Sequence, residues 1–574
     1  MSSFKGYRIR LQRVFSACIV LACTGVVRAQ VADVIYQGGD IVTISGRTPS
    51  AESLAVKDGK ILAVGTVTEV ENAHKGASTR VINLAGKALL PGFIDAHSHH
   101  IASLTVANQV NVSSPPAGPC KDVPGIVAEL VKFRDARQIP RDQILQAYGY
   151  DDTFMPGGRL LNRDDLDAAF PDQPVIVGHV SMHGGVLNSV ALKRFNITTE
   201  TKTPDGGVIV RKPGTNEPWG LIMETAFLPV FSALPQPTRD EEVQYARAGQ
   251  RLYARNGITT AHDGATHANE IELMKRVTAA GANLIDVVAY PFILDLDAVL
   301  KTSPTTGWGT YDRHFKIGGV KITIDGSPQG KTAFFTTPYL NGGPSGEKDW
   351  RGELSFPIDT VKQMVKRVYD LNVPLNLHCN GDAAIDTFLE AYEFARNGDY
   401  SKPWNVTSIH SQFLRKDQIP RFVKYKIRPS FYTLHTFYFA EAHIANRGRE
   451  QAMYISPMRD AIDAGLHPTN HTDFVVAPLD QMFMLWSAVN RISRAGAEIG
   501  PGQRVTPLEG LKAMTIWPAE QYGEEASKGS LEPGKLADLV ILDKNPLTVP
   551  PMEIKDIKVV ETLKEGKTIY AAGQ

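Results

Sequence analysis

Between residues 88 and 470, short apolar segments alternate with amphipathic stretches, and this rhythm limits the fold more than any other feature of the chain. The apolar segments are 88–96, 258–263, 284–290, 319–324, 374–378, 406–410, 427–432 and 466–470. Helical periodicity fills several of the intervals, at 241–256, 270–280, 360–371 and 383–396. A strand buried on both faces reads as a continuous apolar run, and strands alternating with helices build a parallel sheet. About eight such strands close a barrel. The predicted class is therefore α/β, with a (β/α)8 TIM-type barrel over residues 88–520.

The first two apolar segments lie too far apart for a single crossover, so residues 103–239 are predicted to hold an inserted subdomain. Pro115-Pro116-Ala117-Gly118-Pro119 and Lys212-Pro213-Gly214 read as connectors within it. Both ends of the chain read differently, as strands with glycine turns: 33–43 and 53–64, with the turn Lys57-Asp58-Gly59-Lys60, then 535–543 and 557–571. Residues 30–87 and 521–574 are predicted to pair into one small β domain.

Residues 1–29 read as a secretory signal peptide. Lys5, Arg8, Arg10 and Arg13 precede an apolar run over 14–27, which ends at Val27-Arg28-Ala29. The run is short for a membrane span, which needs about 20 residues. An uncleaved anchor and lipoprotein cleavage at Val20-Leu21-Ala22-Cys23 are the competing readings. Export to the periplasm or medium is predicted, with no membrane span in the mature protein. Cleavage would leave only Cys120 and Cys379, so the chain is not a disulfide scaffold. Lys+Arg and Asp+Glu both total 61, which gives no electrostatic case for nucleic acid or an anionic membrane. A small-molecule substrate fits this balance, and so does a homo-oligomer.

The sharpest local signal is Pro91-Gly92-Phe93-Ile94-Asp95-Ala96-His97-Ser98-His99. Residues two apart on a strand face the same way, so His97 and His99 can chelate one ion at a strand end. Taken alone, the pair reads more simply as two surface histidines. Three further ligand-type residues at the ends of later strands weigh against that: His378, His410 and Asp473. Imidazole and carboxylate together suit zinc or a similar divalent ion. Lys321 sits inside an apolar strand, where an unpaired ammonium is costly and burial favours the neutral amine. Such an amine can add carbon dioxide to give a carbamate that bridges two cations; a strand-end salt bridge is the plainer alternative. Gly326-Ser327-Pro328-Gln329-Gly330-Lys331-Thr332 is not a phosphate-binding loop, because three residues rather than four separate its glycines.

These motifs resemble the amidohydrolase superfamily of metal-dependent hydrolases, in the branch of N-substituted formamide deformylase-like enzymes. The resemblance extends through Ala147-Tyr148-Gly149-Tyr150-Asp151-Asp152 with Gly158-Arg159-Leu160, and through His183-Gly184-Gly185-Val186-Leu187-Asn188-Ser189. It continues over residues 257–265, His378-Cys379-Asn380-Gly381-Asp382 and residues 529–538. It implies one or two divalent ions, zinc foremost, held by His97, His99, carboxylated Lys321, His378, His410 and Asp473. It also implies hydrolysis by metal-activated water of an amide, formamide or carbamate-like C–N bond outside peptides, with Asp473 carrying the water's proton to the leaving nitrogen. His183, Tyr150 and His435 are candidates for substrate contact, with packing or support behind the site as the alternative. An ester or phosphoester hydrolase on the same scaffold, and an exported binding or regulatory protein without turnover, are the alternative readings. The chain departs from the family pattern at Cys379-Asn380, at His471-Thr472 and at Ile409.

Overall fold

The computed structural model describes residues 30–573 apart from 153–154, 181–183, 205–206, 235–236 and 345–346. The predicted signal peptide and His183 therefore lie outside the described residues.

Two parallel sheets form the centre. The first runs β1 (Phe93–Ile94), β2 (Ile258–Thr266), β3 (Asp286–Pro291) and β4 (Phe315–Ile317) in neighbouring order. The second runs β5 (Val320–Thr323), β6 (Leu375–Cys379), β7 (Val406–His410), β8 (Arg428–Phe431) and β9 (Thr469–Asn470). Only Gly318 and Gly319 separate β4 from β5, and a parallel bridge between Phe292 and Lys321 joins the two sheets. Among the described residues no ladder joins β9 to β1. The segment at 513–514 lies there instead: the Ile94 N–H donates to the Met514 carbonyl and the Asn470 N–H to that of Ala513.

Helices pack outside these strands through apolar stripes at helical spacing. Arg239–Arg255 (α1) starts on a capping box in which Thr238 and Glu241 satisfy each other's backbone N–H groups. Ile358–Asp370 (α3) buries Val361, Val365 and Val368 against the sheet. Ala268–Ala279 (α2) and Asp382–Arg396 (α4) occupy the other predicted helical intervals.

The apolar run 88–96 belongs to two sheets. Ala88–Pro91 pairs antiparallel with Leu539–Leu542 and parallel with Val34–Val42, whereas Phe93–Ile94 pairs with β2. The change comes at Gly92, where a Cβ would lie 2.5 Å from the Thr259 side chain. Only glycine allows the chain so close to β2 at this crossing.

Ala88–Pro91 sits within an eight-stranded sheet drawn from both ends of the chain. Its order is Lys567–Ala571, Val559–Lys564, Leu539–Leu542, Ala88–Pro91, Val34–Val42, Ser50–Lys57 and Lys60–Gly65, with Arg80–Asn83 also on Val34–Val42. Asp58 and Gly59, both at positive φ, turn one of its hairpins. Between residues 110 and 224 a separate six-stranded sheet has apolar cores of its own, around Ile126, Leu130 and Val177 and around Leu187, Leu192 and Ile222. Among the described residues no helix is long and apolar enough to cross a membrane.

A buried charge network ties the parallel strands to the sheet of the two ends. Asp286, at the start of β3, pairs with Lys564 at 2.7 Å and with Lys528, and His314 Nδ1 lies 2.7 Å from its other oxygen. Lys564 also reaches Asp538 at 2.8 Å, and Lys528 reaches Glu524 at 2.6 Å. Lys316 completes the group through Glu524.

Candidate metal centre

Five of the predicted ligands lie at or just beyond the C-terminal ends of central strands, where side chains from separate strands can converge, and Lys321 projects from within β5. The backbone is strained at two of them: His410 has φ 70° and Asp473 φ 53°, left-handed values that non-glycine residues rarely adopt. The ligand atoms of His97, His410 and Asp473 all lie within 4.8 Å of one another. Nε2 of His97 and Nε2 of His99 are each 3.4 Å from Asp473 Oδ1. Lys321 Nζ lies 3.2 Å from His97 Nε2, and the His378 ring centroid is 4.6 Å from that of His410. The structure thus gathers His97, His99, Lys321, His378, His410 and Asp473 in one place.

Neighbouring groups orient these rings. His99 Nδ1 donates to the Gly264 carbonyl at 2.9 Å, which turns Nε2 toward Asp473. His410 Nδ1 meets His471 Nε2 at 3.1 Å, and His471 in turn meets Ser430 at 2.9 Å. His97 Nδ1 faces Nδ1 of His262 at 3.2 Å, while Asn376 holds Nε2 of His262 at 3.0 Å. Asn380 Nδ2 lies 3.1 Å from His378 Nε2. Two departures from the family pattern, Asn380 and His471, therefore touch predicted ligand histidines directly.

Electrostatics favour a cation at this point. Burial holds His97 and His410 well below the usual imidazole range and His378 down at about 3, so all three are neutral donors. Burial also lowers the Lys321 amine to about 8, and Lys321 has no ion pair among the described residues. Burial opposes ionisation of Asp473, yet His410, His99 and His471 outweigh it and hold the carboxyl well below the usual range. For His99 burial works against the imidazolium, and Asp473 more than offsets it. Among the described residues, Asp473 Oδ1 is buried without a hydrogen-bond partner. A buried carboxylate oxygen without a hydrogen bond is costly, and a divalent cation satisfies it. The donor set fits such an ion through nitrogen and oxygen ligands.

The candidates for substrate contact divide: Tyr150 lies in a separate core, while His435 is within electrostatic reach of Asp473 and His471. Tyr150 packs in the core of the sheet between residues 110 and 224, and its hydroxyl accepts the Leu161 N–H at 2.9 Å. His435 is buried edge-on to Tyr432, which stacks on His471. Its Nδ1 lies 2.8 Å from His443 Nε2. The reading of the sequence assigned no role to His262, Asn376 or His443. His262 does lie in the Gly257–Ala265 motif, at the end of a candidate strand.

Known proteins match this arrangement over most of the chain. An N-substituted formamide deformylase of Arthrobacter pascens is 27% identical over 558 residues, 94% of this chain and 99% of that protein. An uncharacterized metal-dependent hydrolase from Pyrococcus horikoshii OT3 shares the fold with a TM-score of 0.69 at 22% identity, over 90% of this chain and 99% of that one. An adenosine deaminase from Xanthomonas campestris with bound zinc superposes with a TM-score of 0.52 at 14% identity, over 94% of each chain. The shared architecture is of the TIM-barrel hydrolase type. The sequence pattern of the amidohydrolase family matches residues 80–570, a span that contains every gathered ligand, and the chain belongs to that family.

Proposed function

We propose that the protein hydrolyses a carbon–nitrogen bond, other than a peptide bond, in a small amide, formamide or carbamate-like substrate. The observation that carries this reading is the cluster of His97, His99, Lys321, His378, His410 and Asp473, with one carboxylate oxygen that makes no hydrogen bond among the described residues. These residues would hold one or two divalent ions, zinc first among them because imidazole and carboxylate suit it. The zinc-bearing neighbour of similar fold agrees with that choice. Such an ion lowers the pKa of water and polarises a carbonyl when bound.

The residues supply the rest. Asp473, ionised and surrounded by histidines, takes the proton of the attacking water and passes it to the leaving nitrogen. An amide needs this step because its nitrogen leaves only after protonation. The Lys321 amine is neutral over a useful part of the pH range and can attack carbon dioxide, losing one proton to become an anionic carbamate. His262 and His471 keep the rings of His97 and His410 in place.

Export belongs to the same proposal, through cleavage near Gln30. N-terminal sequencing of exported protein should find that end; an intact Met1 excludes cleavage, and a lipidated Cys23 favours anchoring. The activity is tested by metal analysis followed by a panel of amides, esters and phosphoesters. His97→Ala and His99→Ala should each lose metal and amide hydrolysis together. Full occupancy and full activity in both variants would remove the site.

A further inference from the structure

Residues 372–374, 403–405 and 424–426 come just before β6, β7 and β8. They line a cavity of about 510 Å³, closed on one side by Arg396 at the end of α4. It opens at the ends of these strands opposite His378 and His410. The length of β6 alone puts it about 13 Å from the ligand ends, at ~3.3 Å per residue.

The lining is one-sided in charge. Arg396, Lys402, Lys424 and Lys426 contribute to it, and no carboxylate does. The nearby Glu393 is already engaged by Arg421 and by the Tyr425 hydroxyl. Arg396 is only 5% exposed, and other arginines of like burial show what is unusual about it. Arg491 spends all three side-chain nitrogens on the carbonyls of Ile499, Ser456 and Ile455. Arg447 likewise spends all three, on Gln451, on the carbonyls of Thr337 and Pro338, and on the Thr337 hydroxyl. Arg396 gives Nε to the Tyr392 hydroxyl and Nη1 to the Lys402 carbonyl, while Nη2 makes no hydrogen bond among the described residues. Its guanidinium also lies over the aromatic faces of Tyr369, Tyr392, Tyr400 and Trp404, and no carboxylate among the described residues pairs with it.

Aromatic surface is available to a ligand as well. Tyr400 stacks on Tyr425 at 5.3 Å and 12°, yet remains 42% exposed. A flat ring can extend that stack, and an attached anion can reach the Arg396 fork and the lysine amines.

We infer that this cavity is a second ligand site, separate from the metal centre, for a planar aromatic anion such as an arylcarboxylate.

The test is equilibrium dialysis of the metal-loaded full chain against 2-naphthoate, with 2-naphthalenemethanol and sulfate alongside. Naphthoate should bind saturably, at least 10-fold more tightly than either comparison compound, and more weakly as salt rises. Arg396→Gln should weaken it on the order of 10-fold or more, since a charged hydrogen bond is lost. The double variant Lys402→Ala/Lys424→Ala changes only exposed side chains, so it reports even if the arginine variant fails to fold, and it should weaken naphthoate at least 5-fold. Asp473→Asn should leave naphthoate binding unchanged. Equal binding of the neutral alcohol, full binding by the lysine double variant, or loss of binding in Asp473→Asn each overturns the proposal.

Discussion

Lys321 holds its amine 3.2 Å from Nε2 of His97, with only 2% of the lysine exposed. Two positive charges at that separation repel strongly away from water, so the pair does not carry both: His97 is held neutral, and burial lowers the Lys321 amine to about 8. Once deprotonated, a buried lysine amine is a nucleophile. Lys321→Ala should abolish amide hydrolysis and reduce bound metal, and a short carboxylic acid with bicarbonate should restore part of both. Activity and metal content of the variant check this together. An active, metal-replete protein whose Lys321 proves unmodified in a crystal eliminates the carbamate.

The proposed function gives Asp473 two roles, ligand and proton carrier, and these separate on substitution. Asp473→Asn keeps the size and one ligand oxygen but cannot hold the proton. Bound metal should be largely retained while kcat falls by roughly 10²–10⁴-fold, the usual scale of general acid–base catalysis. Substrates with good leaving groups should lose less. Near-normal turnover of an unactivated amide by this variant excludes the role.

His435 owes its chemistry to His443. The Nδ1 of His443 is buried with no partner among the described residues, and an orphaned N–H is rarer than an orphaned acceptor. His443 therefore carries its proton on Nε2 and donates it to His435 Nδ1, which leaves His435 a donor at Nε2. His435→Phe should lower kcat/KM about 10-fold, the worth of one neutral hydrogen bond at the upper end, without loss of metal. His435→Gln should recover part of it; equal loss in both variants, with metal lost too, points to packing alone.

The charge network around Asp286 sets the acid limit of the fold. Burial opposes ionisation there, but Lys528, Lys564 and His314 hold the carboxyl far below its ordinary value of 3.8. A depressed carboxyl contributes stability that is complete above the unfolded pKa and is lost as pH falls through the folded one. Unfolding midpoints should therefore hold from neutrality down to about pH 4 and drop below it. Asp286→Asn should cost roughly 3–5 kcal/mol at neutral pH, as expected when one partner of a buried ion pair is removed. A urea titration of both proteins measures this, and a difference near zero would refute it.

The parallel strands were legible because burial on both faces writes them as apolar runs, and His97 and His99 because a spacing of two defines one face. Other parts depend on contacts that sequence order hides. His262 meets His97 across 165 positions, and His471 meets His410 across 61, so neither announces itself as a ring holder. Tyr150 stands in a polar motif that suggests an open site, yet its hydroxyl serves the Leu161 backbone. The division of 88–96 at Gly92 was hidden too, since both halves are equally apolar. The charges of the Asp286 network are dispersed between positions 286 and 564 and look like ordinary surface residues until the fold collects them.

The eight-stranded sheet also imposes a timetable. Ala88–Pro91 leads straight into the His97–His99 pair, and one of its edges is covered by Leu539–Leu542. During synthesis that edge stays open until the strands at 539–571 leave the ribosome, long after the residues of the metal centre have emerged. The nascent chain therefore carries its histidines through most of translation without a finished frame to hold them. Strands made late thus frame histidines made early.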